Sequence, residues 1–119
     1  MGRVVPVLRI FDKEKALEFY RDFLGFEVNW EHRFEPKLPV YMQLSRDGAT
    51  LHLSEHHGDG SPGAHVRIET SGLTEYRAAL LAKAYPYARP GVQKQPWGER
   101  SMTINDPFGN RVTFYERIS

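Results

Sequence analysis

The stretch Asp47–Glu55, DGATLHLSE, has a counterpart later in the chain at Phe108–Glu116, FGNRVTFYE. Both stretches have a glycine at the second position, apolar residues at alternate positions and a glutamate at the end. Alternating apolar residues predict a strand with one buried face, and a glycine just before it is typical of a turn. Because the two copies occupy the same place in the two halves of the chain, we interpret the sequence as an internal duplication.

The elements around the first copy follow a definite order. Residues 3–10 are rich in β-branched side chains and predict a strand, after which Asp12 is suited to cap a helix. Apolar residues at helical spacing continue to Leu24, and Gly25 is a typical residue to end that helix. Three more strands are predicted, over residues 26–32, 40–45 and 49–55.

The same order returns in the second half. A strand is predicted over residues 64–69, where Val66-Arg67-Ile68 echoes Leu8-Arg9-Ile10. A helix follows from Ser71 or Thr74, and its apolar side is predicted to carry Leu73, Tyr76, Leu80 and Leu81. It ends at Lys83-Ala84, where glycine is usual, so either alanine takes a left-handed conformation at a cost of about 1 kcal/mol or the turn is built differently. Strands near Gln93, over residues 99–105 and over residues 111–116 complete the chain.

Each half is therefore predicted to be a βαβββ module, the first about residues 1–57 and the second about residues 64–119, in a single α+β domain. A helix covers only one face of such a sheet. Two modules are expected to form an open half-barrel cleft, and clefts are where small ligands bind. Strand alternation and aromatic character give a set of candidate ligand-binding residues: Trp30, Tyr41, Gln43, His52, His65, Trp97 and Tyr115.

Composition narrows the possible functions. The 16 basic residues are scattered among 15 acidic ones and the net charge is +1, so a nucleic-acid partner is not expected. No apolar run approaches the length of a membrane span, and no signal peptide is recognisable, which favours a cytoplasmic location. Without cysteine there is no disulfide framework and no thiolate chemistry.

Several motifs at their spacings resemble the glyoxalase/bleomycin-resistance/extradiol dioxygenase superfamily, also called the vicinal oxygen chelate superfamily. They are Val5-Pro6-Val7-Leu8, Phe23-Leu24-Gly25-Phe26 and Asp106-Pro107-Phe108-Gly109-Asn110. Gln95-Pro96-Trp97-Gly98 resembles the bleomycin-resistance proteins in particular. The resemblance implies a homodimer whose two clefts hold an antibiotic away from its target without chemical change. It also implies that the N-terminal strand lies at the dimer contact.

The resemblance raises the question of a metal. Enzymes of the superfamily carry a divalent ion on four cleft residues, and the corresponding positions here are Val5, His52, His65 and Thr113. Histidine suits such an ion, whereas valine has no donor atom and threonine is an unusual ligand. We therefore predict no cofactor, with His52 and His65 as the ligands if a divalent metal binds.

Two functions stay open on the sequence alone. The first is a non-catalytic protein that sequesters an aromatic or glycopeptide antibiotic, and the alternative is a metal-dependent lyase, isomerase or dioxygenase using His52 and His65. Bleomycin itself is cationic, whereas this chain is near neutral and offers Arg9, Arg67 and Arg111 as cleft candidates. That balance favours another aromatic or anionic ligand.

Overall fold

The structure is a computed structural model that describes residues 1–118. Within these residues, two four-stranded mixed sheets are present, with strand orders β1-β4-β3-β2 and β5-β8-β7-β6. The strands of the first sheet are β1 (Val7–Arg9), β2 (Glu27–His32), β3 (Tyr41–Arg46) and β4 (Ala49–Ser54). Those of the second are β5 (His65–Glu69), β6 (Gln93–Gln95), β7 (Glu99–Asn105) and β8 (Arg111–Arg117).

The helices complete the repeat. Helix α1 (Lys13–Leu17) continues as a π-helical segment (Glu18–Phe23), and α2 (Leu73–Ala82) occupies the same place in the second half. In both halves the first strand runs parallel to the last and the other pairs are antiparallel. The α+β class and the doubled βαβββ order are thus confirmed. No helix within residues 1–118 is long and apolar enough to cross a membrane.

The chain divides into two compact units. Unit 1 comprises Met1–Ala64 together with the short turn Pro107–Asn110, and unit 2 comprises His65–Asp106 together with the C-terminal strand. The first sheet lies in unit 1 and the second in unit 2. The turn Pro107–Asn110, part of the motif Asp106-Pro107-Phe108-Gly109-Asn110, is therefore packed with the first sheet, although it joins β7 and β8 of the second.

The helix of unit 1 begins and ends where the sequence predicts. Asp12 Oδ1 accepts a hydrogen bond from Lys15 N at 3.0 Å, and Gly25 takes a left-handed φ of 86° after the last turn. The core of the unit consists of buried helix residues and alternate strand residues. Its largest fully buried members are Leu8, Ile10, Phe19, Tyr20, Phe23, Leu24, Met42, Leu44, Leu51 and Leu53.

The first strand is shorter than predicted, since only Val7–Arg9 is a strand and residues 1–6 are not. Pro6 has no N–H to donate, although its carbonyl accepts from His52 N at 2.9 Å. The outer edge of β1 is occupied: Asn110 Nδ2 donates to Arg9 O at 2.9 Å, and Gly60 lies against Val7 O. These contacts protect a strand edge that would otherwise offer unpaired groups.

Two expectations from the sequence are wrong in unit 2, the first of them about helix α2. Leu73 and Leu80 of α2 are buried and Tyr76 packs edge-on against Phe114, but Leu81 is 39% exposed and lies outside the core. The buried stripe of α2 is therefore narrower than the apolar spacing predicts.

The echo between the two first strands was also misaligned. In the structure Leu8 pairs with Leu53, and Ile68 pairs with Phe114, the counterpart of Leu53. Leu8 thus corresponds to Ile68 rather than to Val66, a shift of two residues that preserves the buried face.

Candidate functional site

A β-bulge in the first sheet shapes the candidate site. Val28 pairs with Leu44, but the next paired residue is Trp30, which lies opposite Gln43, so Asn29 is an extra residue on β2. Regular alternation would place Trp30 on the same face as the inward-facing Val28. The bulge instead brings both Asn29 and Trp30 to the polar face, where Asn29 contacts Gln43.

Three rings form a cluster on that face, which we call the aromatic face. Trp30 and Tyr41 are stacked with ring centroids 6.0 Å apart and planes inclined by 12°. The imidazole of His52 meets both rings edge-on, at 5.4 Å from Trp30 and 5.2 Å from Tyr41. Although packed on its neighbours, Trp30 is still 43% exposed. An aromatic surface of this kind suits a flat apolar ligand.

A chain of hydrogen bonds runs through the same residues. Tyr41 Oη and His52 Nδ1 are 2.7 Å apart, and His52 Nε2 and Gln43 Oε1 are 2.9 Å apart. Gln43 Nε2 then donates to Asn29 Oδ1 at 3.1 Å. Four side chains from three neighbouring strands are thereby held in one orientation, which leaves little ordering cost for binding.

Burial keeps the two titratable members of this chain neutral. It lowers the pKa of His52 below the usual 6.5, and together with the negative charge of Asp59 it raises the pKa of Tyr41 above 10.0. Asp59 is itself fixed nearby, because Ser54 Oγ donates to its Oδ2 at 2.9 Å. At pH 7 the aromatic face therefore presents a neutral imidazole and a protonated phenol.

The sheet of unit 2 has its own polar row. His65 Nε2 lies 2.6 Å from Thr113 Oγ1, which lies 2.7 Å from Thr103 Oγ1. Burial, and then the positive charges of Arg111 and Arg67, lower the pKa of His65. The imidazole is thus neutral and tied to a buried threonine.

Beside that row, an arginine is held on two sides. Arg67 Nη2 donates to Glu99 Oε1 at 2.5 Å, and its guanidinium lies over the ring of Tyr115 at 4.3 Å. The hydrogen bond from Arg67 is the main reason that the pKa of Glu99 is lowered, and a hydrogen bond from Trp97 contributes. Trp97 is 67% exposed and therefore lies outside the hydrophobic core.

The structure thus groups the sequence candidates by unit. Trp30, Tyr41, Gln43 and His52 come together on the aromatic face of unit 1, whereas His65, Trp97 and Tyr115 lie in unit 2. Sequence reasoning missed Asn29 and Glu99. No signal in a single sequence marks the bulge, and the only hint was an asparagine within a strand, where that residue is uncommon.

The donor set of unit 1 does not fit a metal centre. Both ring nitrogens of His52 already have hydrogen-bond partners, so the one lone pair of the neutral ring becomes available to a metal only if the chain of hydrogen bonds is broken. In the part of the chain that the structure describes, no three His, Cys, Asp or Glu side chains are grouped to hold an ion. The sequence-based alternative with His52 and His65 as ligands gains no support from this geometry.

The comparisons with known proteins agree with the fold. A family model described as glyoxalase superfamily protein matches residues 1–119. The bleomycin resistance protein of Geobacillus stearothermophilus is 26% identical over 132 aligned positions, covering 99% of this chain and 98% of that protein. A bleomycin-binding protein, solved in complex with bleomycin, matches with a TM-score of 0.76 at 19% identity, covering 98% of this chain and 99% of that one.

A second solved structure is TnmS3, an antibiotic binding protein from Streptomyces sp. CB03234, with a TM-score of 0.73 at 21% identity. The match covers 98% of this chain and 97% of that one. Likeness at such identities shows the fold alone, but the family model spans every residue and the resemblance seen in the motifs is confirmed. The chain belongs to the glyoxalase superfamily.

Proposed function

We propose that this protein is a non-catalytic binding protein of the bleomycin-resistance type, which holds a planar aromatic antibiotic against the aromatic face. The observation that carries the proposal is the stacked pair of Trp30 and Tyr41, kept open to ligand by the bulge at Asn29. The bleomycin-resistance and antibiotic-binding relatives support the class of ligand.

The energetics favour a ligand on this face. Burying a whole tryptophan side chain removes roughly 150–250 Å² from water, so covering the 43% of Trp30 that is exposed removes roughly 65–110 Å². At about 25 cal/mol per Å² this contributes about 2 kcal/mol from one residue. Stacking on Tyr41 and hydrogen bonds to the polar members add to it.

Calorimetry against a panel of bleomycin and neutral or anionic planar antibiotics tests the proposal. We expect at least one planar compound to bind more tightly than about 100 μM, and Trp30→Ala to weaken that binding by about tenfold or more. Tyr87→Ala is the matched control, because Tyr87 is an exposed aromatic residue far along the chain in unit 2. The proposal is contradicted if no compound of the panel binds, or if Trp30→Ala binds the compound as tightly as the unmodified protein does.

Sequestration makes a further requirement, namely that the ligand leaves unchanged. Incubation of the complex followed by denaturation is expected to return the intact antibiotic, with or without added divalent metal. A converted product would instead support the lyase or dioxygenase alternative. Homodimer formation and a cytoplasmic location belong to the same proposal, and sedimentation analysis and cell fractionation test them.

A further inference from the structure

We infer that the aromatic face selects planar ligands that carry a hydrogen-bond acceptor, such as a ring carbonyl, in preference to ligands that present a donor. This inference rests on the proposed function and names the chemical class of its ligand. It comes from the direction in which hydrogen atoms are arranged along the chain Tyr41–His52–Gln43–Asn29.

The direction follows from the two hydrogen-bond partners of the His52 ring, Tyr41 and Gln43. The hydroxyl of Tyr41 is held in a partly buried environment, where a phenol stays protonated and has a hydrogen to donate. Among the described residues, the one hydrogen-bond partner of Tyr41 Oη is His52 Nδ1, at 2.7 Å. A phenol oxygen can also accept, but the Gln43 Oε1 that lies 2.9 Å from His52 Nε2 can only accept. The single hydrogen of the neutral imidazole is therefore on Nε2, and Nδ1 accepts from the hydroxyl of Tyr41.

The remaining steps follow without further choice. With its hydrogen on Nε2, His52 donates to the Gln43 carbonyl oxygen 2.9 Å away. The amide nitrogen of Gln43 consequently faces Asn29 and donates to Asn29 Oδ1 at 3.1 Å. Since the Oδ1 of Asn29 is used in this way, its Nδ2 is left as the terminal group of the chain.

That terminal group determines what a ligand must offer. Within residues 1–118, Asn29 Nδ2 has no hydrogen-bond partner, and Asn29 immediately precedes Trp30 on the exposed bulge. A flat molecule stacked on Trp30 therefore has an N–H donor at its edge. An acceptor there forms a hydrogen bond, whereas a donor meets another donor and loses its contact with water.

The opposite arrangement has a definite cost. If Nδ1 carried the hydrogen, Gln43 and Asn29 would both turn over and the terminal group would be a carbonyl oxygen. The hydroxyl of Tyr41 would then accept from Nδ1, and its own hydrogen would have no partner among the described residues. The observed orientations of the Gln43 and Asn29 amides favour the first arrangement.

The first test needs no ligand. Nitrogen-15 NMR of the protein distinguishes the two neutral forms of histidine, and we expect His52 with Nδ1 bare and Nε2 protonated near pH 7. In Tyr41→Phe this preference is expected to weaken, because one of the two partners that fix it is gone. A His52 ring protonated on Nδ1 in the unmodified protein overturns the inference and leaves the proposed function intact.

The second test compares two probes, anthraquinone-2-sulfonate and anthracene-2-sulfonate, which share ring area and charge and differ in the two carbonyl groups. We expect the quinone to bind about fivefold more tightly, the equivalent of about 1 kcal/mol for one neutral hydrogen bond. Asn29→Asp replaces the amide donor with an acceptor and is expected to abolish or reverse the ratio. Asn105→Asp, an exposed asparagine on β7, is the control and should leave the ratio unchanged.

The outcomes separate the two claims. Equal binding of both probes, or a ratio that Asn29→Asp does not alter, overturns the acceptor preference while planar binding stands. If neither probe binds and no planar antibiotic in the panel binds, the proposed function is overturned, and this inference with it. A fivefold ratio that also falls in Tyr41→Phe supports Tyr41 as a positioning residue acting through His52.

Discussion

Replacing Asn110 with alanine is expected to lower the free energy of unfolding by about 2 kcal/mol. The side chain is fully buried, Nδ2 donates to Arg9 O at 2.9 Å, and Oδ1 accepts from Ala64 N at 3.3 Å. Each of the two lost hydrogen bonds contributes about 1 kcal/mol, which gives the expected loss of about 2 kcal/mol. The substitution also leaves the backbone groups of Arg9 and Ala64 without these partners, which adds to the cost. For a chain of this size the melting temperature should fall by about 8 °C.

Urea unfolding followed by circular dichroism measures this change, and an unaltered slope with urea would show that the same structure unfolds. Asn105→Ala is the control, because Asn105 is exposed and its side chain makes no hydrogen bond to other described residues. It should change stability by no more than about 0.5 kcal/mol. A loss at Asn110 as small as that, or an equal loss in the control, would refute the structural role assigned to the Pro107–Asn110 turn.

Three further predictions use single positions. Gly60→Ala should destabilise the protein by about 1 kcal/mol more than Gly58→Ala. Both glycines have a φ of 96°, but only at Gly60 would the new carbon lie 3.1 Å from Val7 O. Equal urea midpoints for the two variants would contradict this prediction. Ala84→Gly should stabilise by about 0.5–1 kcal/mol, since Ala84 has a left-handed φ of 52°, and a lowered melting temperature would count against that reading. The pKa of His52 is lowered in the folded state, so its contribution to stability is complete above pH 6.5 and is lost as the pH falls through the folded pKa. Between pH 7 and about pH 5 the urea midpoint of His52→Gln should therefore fall less than that of the unmodified protein. An identical fall in both proteins would contradict this prediction.

Local signals accounted for much of the fold. Asp12 and Gly25 act through backbone geometry within one turn of helix, so their roles are readable from the chain itself. Alternation placed Leu51 and Leu53 in the core and His52 on the open face because a strand has a strict period of two. The duplicated order of elements needed no knowledge of long-range contacts.

The parts of the site that the sequence did not reveal depend on contacts between distant residues. The bulge at Asn29 is a choice of register between β2 and β3, and β2 alone gives no sign of it. The ion pair of Arg67 and Glu99 joins residues on β5 and β7, and no local pattern specifies it. Leu81 shows the converse error, because helical spacing alone cannot say how wide the buried stripe is.

The central claim is that a planar ligand stacks on Trp30, and the two tryptophans of the chain give a direct measurement of it. Each indole N–H gives one proton–nitrogen NMR signal, which Trp30→Phe and Trp97→Phe variants assign. We expect a bound planar antibiotic to shift the Trp30 signal strongly, and the titration of that shift to give the same affinity as calorimetry. A ligand that binds while the Trp30 signal stays in place would contradict this expectation.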